Sequence, residues 1–192
     1  DYSFIRPISA EDFVISADGG WRHLKRLGIR PNLFIGDMDS LQETIPEDIK
    51  KECYQPEKDD TDTELAIKRA LAMNCSHITL LGATGGRLDH MIGNIHLLFP
   101  CLQKGTYAEI VDTQNRLYLI DGEHIFRKDA VWGEYISFLP LTQEVKGITL
   151  KGFKYPLTDR DISIGTSLCI SNELVEEEGI ITLTDGVLIT VE

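Results

Sequence analysis

Asp37 and Asp39 stand two apart in Gly36-Asp37-Met38-Asp39-Ser40, directly after the apolar run Leu33-Phe34-Ile35. Residues two apart in extended backbone point the same way, so both carboxylates would face one hard cation such as Mg²⁺. An Asp-rich turn, with side chains bonded to the local backbone, accounts for the pair equally well. A second acidic group, Lys58-Asp59-Asp60-Thr61-Asp62, opens a helical pattern. Acids at that position cap helix amides and meet the positive end of the helix dipole. Capping does not explain three aspartates in five residues beside a lysine. The third segment is Gly82-Ala83-Thr84-Gly85-Gly86-Arg87-Leu88-Asp89-His90, where Thr84, Gly85, Gly86 and Arg87 join a permissive backbone to a guanidinium ahead of a helix. Glycines admit an anion to the backbone amides, a helix start favours phosphate, and an arginine grips it with two donors. An ordinary strand-to-helix loop has the same composition, and Asp89 fits an ion pair with Arg87 or a helix cap as well as a chemical role. Carboxylates hold Mg²⁺, Mg²⁺ holds phosphates, and loop amides with Arg87 hold the rest. The spacing predicts Mg²⁺-dependent phosphoryl chemistry and leaves the substrate open.

Such residues must be presented by strands that end where they sit. Phe13 to Ala17 reads as a strand closed by Asp18-Gly19-Gly20, and Leu33-Phe34-Ile35 as another. Trp21, Leu24 and Leu27 share a helical face, and Gly28 is a helix stop. Pro46 to Glu52 reads as a short helix opened by its proline. Thr61 to Met73 is a helix begun by the capping-box pattern Thr61-x-x-Glu64. Ile78 to Leu81 is a buried strand, His90 to Phe99 a helix, and Ala108 to Val111 a strand. Strands alternating with helices imply parallel pairing, with ligands bound beyond the carboxyl ends of the strands. After Asp112 the helical period disappears. Arg116 to Ile120 and His124 to Phe126 flank Asp121-Gly122, a hairpin signal. Strands are expected at Tyr135–Leu139, Ile148–Leu150, Ser167–Ile170, Ile180–Leu183 and Val187–Val191, an antiparallel sandwich or barrel. The expected fold is α/β: a doubly wound, mostly parallel α/β/α domain over residues 1–113, then an all-β sandwich domain over residues 114–192.

Composition removes other classes. The net charge of −12, from 19 basic and 31 acidic residues, opposes a nucleic-acid binder, which needs a basic face for phosphates. No apolar run approaches the roughly 20 residues of a membrane helix, and no leader pattern follows Asp1, so a cytoplasmic location is expected. Cys53, Cys75, Cys101 and Cys169 are widely spaced and form no C-x-x-C, as for unpaired thiols in a reducing compartment. Neither a Walker A loop, a G-x-G fingerprint, an EF-hand nor H-E-x-x-H is present.

The order and spacing of Asp18-Gly19-Gly20, Gly36-Asp37-Met38-Asp39-Ser40, Asp59-x-Thr61-Asp62 and Gly85-Gly86-Arg87-Leu88-Asp89-His90 resemble the thiamine pyrophosphokinase family. The likeness extends into the β-rich half at Ser171-Asn172-Glu173. It implies transfer of pyrophosphate from ATP to the hydroxyl of thiamine, giving thiamine diphosphate and AMP. It also implies an α/β domain for ATP, a sandwich that helps bind thiamine, and a homodimer whose sites combine both subunits. Asp37, Asp39 and Asp62 would hold Mg²⁺ and the phosphates, with Asp89 close to the reacting groups. Contacts to ATP and thiamine would come from Asp18, Gly19, Ser40, Thr61, Thr84, Gly85, Gly86, Arg87, His90, Ser171 and Asn172. Lys58 or Asp59 of the partner subunit would reach the thiamine pocket. Family members place a strand and a glycine-containing loop ahead of the position of Asp1. Some carry an aromatic residue shortly after the Ser-Asn pair to stack on the pyrimidine, where Leu174-Val175 follows Glu173 here. Rival readings are a pyrophosphokinase acting on a hydroxymethylpterin, a non-catalytic nucleotide sensor, and a dimeric interaction protein.

Overall fold

The computed structural model describes residues 2–37, 44–54 and 59–192. Contacts divide the chain into two compact units, Tyr2–Ile78 and Thr79–Glu192.

The first unit holds β1 (Ile15–Ala17), α1 (Gly20–Leu27), β2 (Leu33–Gly36), β3 (Lys50–Cys53) and α2 (Asp62–Ala72). The strands pair in the order β1-β2-β3, both pairs parallel. β2 is buried at every position, as expected of a central parallel strand covered on both faces. Phe34 packs with Trp21, Ile45 and Ile49. Leu33 and Ile35, by strand alternation, face the other side. α1 ends at Gly28, whose φ of 66° lets its N–H reach the carbonyls of Leu24 and Lys25. Thr61 caps α2 as expected, its Oγ1 accepting the Glu64 N–H at 3.2 Å.

The expected helix over Pro46–Glu52 is absent. A turn at Glu47 and Asp48 leads directly into β3, with Lys50 opposite Leu33 and Cys53 opposite Gly36. Pairing along β2 outweighs local propensity here. The Lys51 ammonium also donates to the Ile45 carbonyl, and Glu52 pairs with Arg69 of α2.

β4 (His77–Leu81) spans the division. It is followed by α3 (Leu88–His96), α4 (Leu98–Gln103) and β5 (Tyr107–Val111). The single helix expected from His90 to Phe99 is therefore two, with Pro100 in the first turn of α4, where its missing N–H costs no bond. β4 is buried only at Leu80, not throughout as its apolar run suggested. Next come β6 (Arg116–Ile120), β7 (His124–Arg127), β8 (Ser137–Pro140), β9 (Glu144–Lys151), β10 (Leu157–Ser163), β11 (Glu178–Thr182) and β12 (Leu188–Val191). They form a five-stranded sheet, β4-β5-β6-β12-β8, and a four-stranded sheet, β10-β9-β11-β7.

β6 and β7 do not form the expected hairpin. β6 pairs with β5 and β12, whereas β7 pairs with β11. Asp121-Gly122 carries the chain from one sheet to the other, because both strands bury a face in the shared core. Ser167–Ile170 is a turn rather than a strand, and β10, with its polar Thr158-Asp159-Arg160-Asp161 run, takes the edge beside β9. A strand with bulges and a polar outer face leaves little period-2 signal. Between the sheets lie Tyr118, Phe126, Phe138, Val145, Ile148, Phe153, Ile181 and Leu188, all buried in one cluster. Phe126, Phe138 and Phe153 meet edge to face, with ring centroids 5.7–5.8 Å apart. The parallel sheet followed by a separate β-rich sandwich is the fold class expected.

Candidate active site

In the first unit, parallel pairing puts the ends of β1 and β2 side by side. The Asp18 N–H donates to the Ile35 carbonyl at 2.9 Å, and Asp18 has a left-handed φ of 40°. Gly36 makes this approach possible: a Cβ there would lie 3.3 Å from Asp18 Cα and 3.1 Å from the Phe34 ring. Asp18, Gly19 and Asp37 therefore share one edge. α1 starts on this edge without a side-chain cap at Gly19. Asp62 opens α2, the element that follows β3. Within the acidic cluster the aspartates differ. Asp60 pairs with Lys68 at 2.8 Å, and Lys68 also meets Glu64 at 2.9 Å. Those two carboxylates raise the Lys68 pKa. Asp59 is exposed and Asp62 half-buried. Asp39, Ser40 and Lys58 lie outside the described residues.

Asp37 and Asp62 supply hard oxygen donors from one unit. No group of three or more metal-ligating side chains occurs among the described residues. Mg²⁺ keeps several waters and takes one or two carboxylates together with substrate phosphates, so this donor set fits it.

In the second unit the glycine loop runs from β4 to α3. Gly82 and Gly86 have φ of 72° and 77°, and the Cβ positions at Gly85 and Gly86 face open space. Arg87 grips Asp89 with two hydrogen bonds, Nε to Oδ1 at 3.1 Å and Nη2 to Oδ2 at 2.5 Å. The pair is exposed, 72% and 62%. Arg87 holds the Asp89 carboxyl down at about 2, with help from the His90 N–H. The loop itself is tied down from α3, where Asn94 Nδ2 donates to the Ala83 carbonyl at 3.0 Å.

At the sandwich end, Ser171 is exposed with φ of 57°. Asn172 is only 2% exposed. Its Oδ1 accepts from Tyr155 N and Glu173 N, both at 3.0 Å, and its Nδ2 donates to Tyr155 O at 2.9 Å. The Asn172 side chain is thus spent on the backbone of Tyr155 and Glu173. The Tyr155 ring is 57% exposed and Tyr135 51%. Lys154 lies 5.8 Å from the Tyr155 ring centroid and pairs with Glu173 at 2.7 Å.

Sequence reasoning passed over Asn94, Tyr135, Lys154 and Tyr155. An asparagine inside a helix was the available signal. It does not say which loop would be its partner.

Residues 4–110 match the family model described as thiamin pyrophosphokinase, catalytic domain, and residues 123–188 match thiamin pyrophosphokinase, vitamin B1 binding domain. The thiamine pyrophosphokinase of Bacillus subtilis (strain 168) is 39% identical over 183 residues, covering 92% of this chain and 85% of the relative. The crystal structure of thiamine pyrophosphokinase from Bacillus subtilis superposes with a TM-score of 0.88 at 34% identity, covering 96% of this chain and 89% of that one. That of thiamin pyrophosphokinase from Geobacillus thermodenitrificans gives 0.85 at 37%, covering 96% and 87%. With the acids at the ends of parallel strands, the glycine loop ahead of α3 and both family segments in order, the chain belongs to the thiamin pyrophosphokinase family.

Proposed function

We propose that the chain transfers the pyrophosphoryl group of ATP to the hydroxyl of thiamine, giving thiamine diphosphate and AMP. The observation that carries this reading is the pairing of the catalytic and vitamin B1 binding segments in one chain. In this reading residues 1–113 bind ATP and residues 114–192 bind thiamine. The two family ranges support that division, although it cuts a sheet between β5 and β6.

The thiamine oxygen attacks the β-phosphorus in line, the bond from that phosphorus to the bridging oxygen of AMP breaks, and the hydroxyl proton leaves to a base. Little covalent work falls to the protein, so positioning and charge neutralisation dominate. Asp37 and Asp62, with Asp39, would hold Mg²⁺, which supplies positive charge against the phosphates. Asp18, Gly19, Ser40, Thr61, Thr84, Gly85, Gly86 and His90 are assigned to the ATP side. Arg87 changes partner on binding, from the Asp89 carboxylate to a phosphate oxygen. That exchange removes the group holding Asp89 near 2 and returns basicity to a carboxylate able to take the hydroxyl proton. On the acceptor side, Asn172 sets Tyr155, and Tyr155 and Tyr135 offer aromatic faces for the pyrimidine beside Ser171. Lys58 or Asp59 of the partner subunit completes the pocket in a homodimer. A cytoplasmic location belongs to the same reading, and none of the four cysteines forms a disulfide. No helix among the described residues is long and apolar enough to cross a membrane.

The test is turnover of purified protein with ATP, Mg²⁺ and thiamine, following AMP and thiamine diphosphate together, with EDTA and pterin-alcohol controls. Equal, EDTA-sensitive formation of both products is expected. AMP formed only with the pterin alcohol would overturn the acceptor, and no AMP with either would overturn the reaction.

A further inference from the structure

We infer that Asn94 of α3 is a positioning residue for the glycine loop: its amide fixes the Ala83 carbonyl and so aims the Thr84 N–H, first in a row of unpaired amides, toward the phosphates. This role rests on the ATP-dependent reaction proposed above.

Asn94 is the seventh residue of α3, and its Nδ2 donates to the Ala83 carbonyl at 3.0 Å across eleven positions of chain. A carbonyl only accepts, so the amide nitrogen is the end of the side chain that must face it. Helix side chains tilt toward the N-terminus, which lets a short one reach back past the helix start into the loop. A helix interior is a poor place for asparagine, and α3 buries none of its residues. Neither propensity nor core packing therefore accounts for this side chain. Its bond to the loop does.

The consequence lies on the other side of the same peptide. In a planar trans peptide the C=O and the following N–H point in opposite directions. With the Ala83 oxygen held against Asn94, the Thr84 N–H is turned away from it. Among the described residues, no partner meets the backbone N–H of Thr84, Gly85, Gly86 or Arg87, and α3 begins at Arg87 without a side-chain cap. Unpaired amides running into a helix start are the arrangement that receives phosphate oxygens. Gly82 and Gly86 are left-handed, and the Cβ positions at Gly85 and Gly86 face open space. Such a backbone has many accessible conformations, which must be given up when its amides close on an anion. Fixing the Ala83 peptide removes that freedom at the loop's entrance and leaves Gly85, Gly86 and Arg87 to adapt to the ligand.

Asn94→Leu and Asn94→Asp keep the approximate size of the side chain and lose the donor. Backbone ¹⁵N relaxation of the ligand-free protein reads the loop itself, and KM for ATP against kcat reads its use. Ala83 and Thr84 should have order parameters of about 0.85 in the wild type, as for rigid backbone, and below about 0.6 in both variants. KM for ATP should rise about fivefold, the size of one hydrogen bond. The change in kcat should stay within about twofold, since amides that hold ATP both before and during transfer bind the two states alike. Leucine is the better helix former, so α3 should keep its amide-exchange protection in Asn94→Leu. Unchanged order parameters at Ala83 and Thr84 in Asn94→Leu, a wild-type KM in Asn94→Asp, or a loss of kcat that merely follows a lower thermal midpoint would overturn the inference. If the wild type forms no AMP, the functional reading fails, and relaxation in Asn94→Leu still decides the anchor.

Discussion

The parallel sheet of the first unit and the sandwich of the second bury their apolar residues for different ends. In the sandwich, Phe126, Phe138 and Phe153 pack edge to face within one cluster that runs through both sheets. Even its assigned ligand residue Asn172 has its side chain spent on backbone partners. In the parallel sheet, β2 is buried throughout, yet its last residue is a glycine that admits a close approach of the left-handed Asp18 at the end of β1. The buried strand acts as a rail whose end presents acids. Cohesion and chemistry are therefore held by different residues, and substitutions should separate them.

The largest separation is expected at Asp37. Asp37→Ala should lower turnover by about 10³-fold or more, as for loss of a charge-stabilising group at the reacting centre, while thermal unfolding stays near that of the wild type. Turnover kept within a few-fold would remove Asp37 from the phosphate-binding edge. Phe138→Ala is the opposite case. It should cost about 3–5 kcal/mol of stability in urea unfolding, and activity should fall only as folded protein is lost. Gly36→Ala probes the junction of the two roles. A Cβ meeting the Phe34 ring at 3.1 Å and Asp18 Cα at 3.3 Å must displace Asp18 slightly. Turnover should drop about tenfold through misplacement, with a much smaller change in unfolding midpoint. If stability fell as far as in Phe138→Ala, the close approach would be a packing feature only.

The smallest effect concerns acid stability of the sandwich. Burial lowers the His124 pKa, Arg116 adds to this and Glu192 opposes it. The ring meets Phe126 edge-on at 4.7 Å and lies tilted against Tyr118 at 5.4 Å. A lowered folded value means that the unfolded chain takes up the proton first as pH falls. His124 therefore favours the fold fully above its ordinary value of 6.5, and that contribution declines as pH drops from there through the lowered folded value. Thermal midpoints measured between pH 7.5 and 5 should decline less steeply in His124→Phe. An identical slope would show that the histidine takes up its proton alike in the folded and the unfolded chain.

Much of the site can be read from the chain because its signals are short in range. The cap at Thr61, the stop at Gly28 and the glycine loop each depend on residues within about four positions, and they stand where expected. Asp18 and Asp37 end on one edge because alternation of strands and helices implies parallel pairing. The helix expected at Pro46–Glu52 and the hairpin expected at Asp121-Gly122 fail for a common reason. Each segment had acceptable local chemistry for the wrong element, and a distant strand decided otherwise: β2 for Lys50–Cys53, β11 for His124–Arg127. β10 escaped notice because an edge strand needs no apolar outer face.

The sequence by itself determined the chemical inventory and its order: acids after two strands and before a helix, a glycine-arginine loop before another, then a β-rich half. Residue type and short spacing suffice for this, since capping, turn formation and metal affinity are properties of neighbouring groups. Only the tertiary structure decided that Asn172 is turned inward to hold Tyr155, that Asn94 holds the glycine loop at Ala83, and that Arg87 rests on Asp89. The first two depend on which buried polar atoms must find partners once the elements have packed, and those partners lie more than ten residues apart.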